Sequence, residues 1–221
     1  MPTVTLVHAV LPALAPMRDA LAEAIPNVQI RNLLDEGLST EAERRGGVDR
    51  ACVERMLALL GLAVAAPTDA ILLTCTAYST MLPQARRRFP DTPMFAVDQV
   101  MVETAVARAR RIGVLATFAA GLEQQRELLA REARAQEKTI EIVPSLHPLA
   151  MDALRRGEPA EHDRIVLDAL PSLLAQTDLV LLAQASMARV APQIPAADRE
   201  RVLSSPRLAA QALRVALGVP A

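Results

Sequence analysis

The chain has 221 residues, 52% of them apolar and 22% charged, with a formal charge of −1, three Phe, one Tyr and no Trp. That length can bury a substantial core, as one domain or as two similar lobes. Balanced charge and four aromatic rings exclude a general polyanion binder, since they supply neither a basic face nor a stacking platform.

Val4 to Val10 reads as a first strand and its exit loop, with His8 at the strand end. Pro12 and Pro16 bracket a helix start, and Leu14, Met17, Leu21 and Ile25 recur at helical spacing before Pro26 stops the run. Val28 to Leu33 alternates as a second strand. Leu34 to Gly47, with mixed charge and paired glycines, is expected to be a loop with at most a short helical turn, long enough to close over a crevice. From Val48 to about Ala65 the pattern is helical, with Cys52, Met56, Leu59 and Leu60 on one side, so Cys52 is read as a small core hydrophobe.

Ala70 to Thr74 is an apolar run suited to a buried parallel strand, and it changes abruptly into Cys75-Thr76-Ala77-Tyr78-Ser79-Thr80. A helix from about Ser79 to Phe89 follows, with Pro83 in its first turn. Pro93 to Val97 is a fourth strand; Asp98 and a helix to Arg111 come next. The alternation then restarts. Arg111 to Thr117 is a strand, Leu122 to Gln136 a charged helix, and Lys138 to Pro144 another strand. His147 to Arg155 makes a short helix, and Ala160 to Ala175 a longer one bent or broken at Pro171. Asp178 to Leu182 leads into Ala183-Gln184-Ala185-Ser186-Met187, and a helix near Ser186 is disturbed by Pro192 and Pro195. Arg201 to Ser204 suits a short edge strand, and Pro206 to Leu217 a terminal helix that stops at Gly218.

This order predicts an α/β fold of two pseudo-symmetric, mostly parallel lobes facing across a central cleft. The expected lobes are residues 1–97 with 206–221, and residues 98–205. Cys75 falls where a strand ends and a helix begins, the usual ligand edge of an open α/β sheet. Helix N-terminal amides are expected to lower its pKa from the ordinary value of about 8.5 and so favour a reactive thiolate. Thr76, Ser79, Thr117 and Ser186 are hydroxyls at the same kind of edge and are candidates to hold a carboxylate. His8 reads equally as substrate contact or core cap, and Asp98 as a substrate-orienting group or a helix N-cap. Tyr78 is either a hydrogen-bond donor or a packing residue. His147 and His162 read as loop or surface residues, and the arginine clusters 86–88 and 108–111 as solvated helix ends.

Two cysteines give no disulfide framework, the three histidines have no metal spacing, and Gly46-Gly47 lacks a phosphate-loop pattern. No cofactor and no metal are expected. Gly61 to Ala66 is apolar but too short to span a bilayer, and no basic n-region precedes a long apolar segment, so a cytoplasmic protein without membrane or nucleic-acid partners is expected.

The motifs resemble those of the aspartate/glutamate racemase superfamily, especially its hydantoin and allantoin racemase, maleate isomerase and arylmalonate decarboxylase branches. Ile71 to Ser79 is similar to the first cysteine motif, Gly113 to Thr117 to the middle threonine motif, and Ala183 to Met187 to the second cysteine motif. The resemblance implies two α/β lobes, a cofactor-independent site and possible homo-oligomers. In the racemases two cysteines remove and return a proton; here Cys75 matches the first, and Gln184 stands where the second is expected. Glutamine has no titratable proton, so two-thiol racemisation is disfavoured and Gln184 becomes a substrate-binding candidate. The expected function is a racemase-like isomerase that uses one cysteine on a small carboxylate, amide or cyclic ureide. The alternatives are a malonate-type decarboxylase and a noncatalytic ligand-binding protein. The decarboxylase branch keeps its cysteine at the second motif, the reverse of this chain.

Overall fold

The computed structural model describes residues 1–220. The chain divides into two compact units, Met1–Gln99 with the C-terminal segment from Pro206, and Val100–Ser205. Each is built on its own four-stranded parallel sheet.

In the first unit the strands are β1 (Thr3–His8), β2 (Gln29–Leu34), β3 (Ala70–Leu73) and β4 (Met94–Ala96), in the order β2-β1-β3-β4. Every residue of β3 is buried, as its continuous apolar run requires, whereas edge strand β2 is half exposed. The helices are α1 (Leu14–Ala24), α2 (Gly37–Arg44), α3 (Arg50–Val64), α4 (Leu82–Arg88) and α9 (Ser205–Ala216). Met17 and Leu21 of α1 and Cys52, Met56 and Leu60 of α3 pack inward. Asp49 caps α3 by accepting the Cys52 amide at 2.9 Å.

The second unit repeats the plan with β5 (Arg111–Ala116), β6 (Glu141–Leu146), β7 (Leu179–Leu182) and β8 (Val202–Ser204), in the order β6-β5-β7-β8. Edge strand β6 has the same alternation of exposure as β2. Helices α5 (Gln99–Arg108), α6 (Ala119–Ala135), α7 (Pro148–Arg155) and α8 (Pro159–Leu174) accompany it. Val166, Leu170 and Leu173 of α8 join Leu115, Val180 and Leu182 in one core. Gly113 permits the close approach, since a Cβ there would lie 2.8 Å from the Leu173 side chain and 3.1 Å from Val180.

Several local expectations are corrected. The segment 34–47 is largely helix α2, in which Leu38 and Ala42 are buried and whose Leu38 carbonyl accepts the Tyr78 hydroxyl at 2.9 Å. After Cys75 the chain first forms a 3-10 turn, Thr76–Met81, and only then an α-helix. The segment from Ala185 to Gln193 is likewise 3-10 rather than α-helical. Pro171 does not break α8: it lies exposed in the last turns, where one lost amide donor costs little. His162 is fully buried rather than at the surface. Among the described residues no helix is long and apolar enough to cross a membrane.

Candidate functional site

In the first unit the candidate residues collect at the C-terminal edge of the sheet. Cys75 leaves β3 in an extended conformation (φ −107°, ψ 114°) and opens the 3-10 turn, its carbonyl accepting the Tyr78 amide at 3.0 Å. Its sulfur also faces the backbone N–H groups of Ala77 and Tyr78. This is the local cradle expected for a thiolate. The thiol is nevertheless only 7% exposed, and burial pushes its pKa up to about 12 against those two amides, with nearby Asp98 adding to the rise. The expectation of a lowered pKa is therefore corrected: removing the sulfur from water outweighs two peptide donors.

Asp98 follows β4, is fully buried, and accepts the Ser79 hydroxyl at 2.9 Å and the Thr76 hydroxyl at 3.3 Å. Burial raises its pKa to about 7, with the two hydroxyls pulling the other way. Thr76 and Ser79 thus link the carboxyl group to the turn that carries the sulfur. His8, at the end of β1, has both ring nitrogens engaged: Nε2 lies 3.0 Å from Asn32 Oδ1 and Nδ1 lies 2.8 Å from the Thr74 hydroxyl. Burial lowers its pKa, partly opposed by the Asn32 contact. Asn32, which fixes this ring, carried no signal beyond its place in a strand.

The second unit has a matching turn. Gln184 leaves β7 extended (φ −124°, ψ 145°) and opens its own 3-10 turn, its carbonyl accepting the Met187 amide at 3.0 Å. Gln184 thus holds in its unit the backbone position that Cys75 holds in the other. Its Oε1 accepts the Thr117 amide at 2.8 Å and the Thr117 hydroxyl at 3.1 Å. The peptide N–H donor fixes which end of the side-chain amide is oxygen. Gln184 Nε2 and the Ser186 hydroxyl are both buried without a protein partner. Gly121, in the first turn of α6, makes room for that amide: a Cβ there would lie 2.5 Å from Nε2.

Two further polar groups in this unit are buried: Gln125, not singled out in the sequence, and His162, read there as a loop or surface residue. Gln125 on α6 has neither amide atom paired. His162 Nδ1 lies 2.8 Å from Asp163, which accepts Arg189 Nε at 2.7 Å, while His162 Nε2 is unpaired. His162 shares a helix face with the core residues Val166 and Leu170, a periodicity that could have flagged its burial. His147 is half-buried beside Ser145, at 2.8 Å. Among the described residues no three His, Cys, Asp or Glu side chains are grouped to hold a metal ion.

Paired α/β units, each ending a buried strand in a residue that caps a 3-10 turn, define a duplicated parallel-sheet protein with its chemistry-bearing side chains at the strand ends. The chain belongs to the Asp/Glu/Hydantoin racemase family, whose profile matches residues 12–213. Solved structures with a similar fold include an allantoin racemase from Klebsiella pneumoniae, 17% identical, covering 99% of this chain and 89% of that one with a TM-score of 0.66. A glutamate racemase from Francisella tularensis, solved with D-glutamate, is 14% identical over 98% of this chain and 81% of that one, with a TM-score of 0.74. An aspartate racemase from Picrophilus torridus is 14% identical over 99% and 95%, with a TM-score of 0.72. No curated protein sequence matches the chain.

Proposed function

We propose that the protein is a cofactor-independent, racemase-like isomerase of a small carboxylate, amide or cyclic ureide, with Cys75 as its carbon acid-base group. The observation that carries this reading is the Cys75 sulfur set against the Ala77 and Tyr78 amides, with the buried Asp98 carboxyl linked to the same turn through Thr76 and Ser79. His8, Thr76, Ser79, Asp98, Thr117, Gln184 and Ser186 are read as binding or positioning groups. The family and the fold support an isomerase.

In this reading the thiol is neutral at rest, and Asp98, whose pKa burial raises to about 7, is ionised in only part of the population near neutral pH. Moving the Cys75 proton to the ionised form of Asp98 leaves the pair with one negative charge before and after, and it is uphill because burial raises the thiol's pKa above that of the carboxyl. The thiolate then takes the substrate C–H proton, and the electron pair passes to the adjacent carbonyl, where donors stabilise the developing oxyanion. The sulfur's proton exchanges with solvent before one returns from sulfur to the same carbon, and Asp98 then gives its proton back to the thiolate to restore the resting pair; one thiol acting from one face exchanges the carbon hydrogen without inverting the centre.

The test is hydrogen exchange at carbon in deuterated water across a panel of amino acids, hydantoins and unsaturated diacids, for native protein and Cys75→Ser. Loss of exchange in the variant is expected; undiminished exchange would remove Cys75 from the chemistry. A binding-only role has one observation in its favour, the near-complete burial of the Cys75 thiol. Ligand retention with no exchange, unchanged in Cys75→Ser, would select it.

A further inference from the structure

The buried amide of Gln125 has no part in the proton transfer at Cys75. It sits on α6 one turn beyond Gly121, and residues four apart share a helix face. Helix side chains lean toward the N-terminus, which carries the Gln125 amide back over the Gly121 turn. Gln184 Nε2 already rests against Gly121, and Ser186 is two residues beyond Gln184. Gln184 Nε2, the Ser186 hydroxyl and both ends of the Gln125 amide are all buried and lack a protein partner. Gln125 itself is 0% exposed. Gln184 Nε2 and the Gln125 amide thus flank the Gly121 turn of α6, Ser186 belongs to the 3-10 turn that Gln184 opens, and buried polar atoms without a partner call for a polar occupant.

We infer that Gly121, Gln125, Gln184 and Ser186 form a subsite for an uncharged group bearing both a carbonyl oxygen and an N–H, of the carboxamide kind, and that Gln125 sets this preference. The inference rests on the reading of the Gln184 turn as part of the ligand site and narrows the ligand class proposed for it.

The donor and acceptor inventory decides the class. Gln184 Nε2 and the Gln125 NH2 donate, the Ser186 hydroxyl does either, and the Gln125 carbonyl only accepts. An ionised carboxylate can only accept, so it would leave the Gln125 oxygen unpaired. None of the four residues carries a positive charge to offset its desolvation. A carboxamide matches both polarities. Because the atoms are enclosed, entry requires a local opening. The adjoining 3-10 segment, Ala185–Gln193, is suited to that, being longer than such turns usually run and poorer in hydrogen-bond geometry than an α-helix.

The experiment uses succinamide and succinate, a near-isosteric pair, titrated by ligand-observed NMR into the full chain. Every measurement is repeated on the Cys75→Ser protein, so a failure of the proton-transfer reading leaves the binding result intact. Succinamide is expected to bind at least about tenfold more tightly than succinate, the worth of one hydrogen bond and one avoided unpaired group. Gln125→Leu should abolish that preference while raising the melting temperature, because an apolar group replaces an unpaired buried amide. Ser186→Ala, a smaller change, should weaken succinamide binding about threefold to tenfold with the fold intact. Equal affinity for the two probes, a preference for succinate, or no binding of either would overturn the inference. So would an undiminished preference in Gln125→Leu, or a fall in its melting temperature, which would show the amide to be a structural group.

Discussion

Replacing Asp98 by asparagine removes a buried charge while keeping the shape of the group. The carboxyl is fully buried, receives the Ser79 and Thr76 hydroxyls, and has its pKa raised from an ordinary 3.8 to about 7. A raised carboxyl pKa means that the folded chain binds this proton more tightly than the unfolded chain. The penalty is absent below about pH 4, grows as the pH rises through the window to 7, and is complete above it. At 1.36 kcal/mol per pK unit it amounts to about 4 kcal/mol. An asparagine side chain never ionises, so Asp98→Asn should match the native protein near pH 4 and exceed it by about 2–4 kcal/mol at pH 8, the lower bound allowing for a weakened hydroxyl contact. Tyr78 is the chain's single tyrosine, no tryptophan is present, and it lies buried in the same unit as Asp98. Its fluorescence during urea unfolding at pH 4, 6 and 8 therefore reports that unit. A stability difference that is independent of pH, or that favours the native protein at pH 8, would refute the assignment of Asp98 as a strained buried carboxyl.

Gly121→Ala should force the Gln184 amide off the Thr117 donors, since the new Cβ would sit 2.5 Å from Nε2 and 3.0 Å from the Phe118 ring. A net loss of about 1–2 kcal/mol in urea unfolding followed by circular dichroism is expected, the lost contacts being partly offset by the better helix propensity of alanine; a stabilised variant would contradict the packing. Gly113→Ala should cost about 1–3 kcal/mol by overpacking β5 against Leu173 and Val180. Adding Leu173→Ala should give a double variant less destabilised than the sum of the two single ones, and strict additivity would count against the contact.

The strands were legible because burial on both faces writes them as short apolar runs, β3 and β7 above all, and the ligand edge followed from where those runs break into small and hydroxylated residues. Helix α2 was not legible. Eight residues starting at Gly37 have weak intrinsic preference, and what holds them is tertiary: buried Leu38 and Ala42, the Tyr78 hydroxyl on the Leu38 carbonyl, and Arg55 on Asp35 at the helix entry. His162 and Gln125 were hidden by charged neighbours. Each nonetheless lies four residues from a buried apolar side chain, Val166 and Leu129, so period outranked local polarity at both positions.

The cysteine turn marks the limit of motif reading. Its residues fix which donors can reach the sulfur, and the Ala77 and Tyr78 amides do so. Whether that sulfur is easier or harder to ionise than in water depends on how much water the rest of the chain leaves around it. Here it leaves almost none, and the neighbouring carboxyl is equally dry. A thiol and a carboxyl that both resist ionisation can still exchange a proton between them, because the pair carries one negative charge before and after the transfer. Burial that makes Cys75 a poor free nucleophile is therefore compatible with the base role proposed for it.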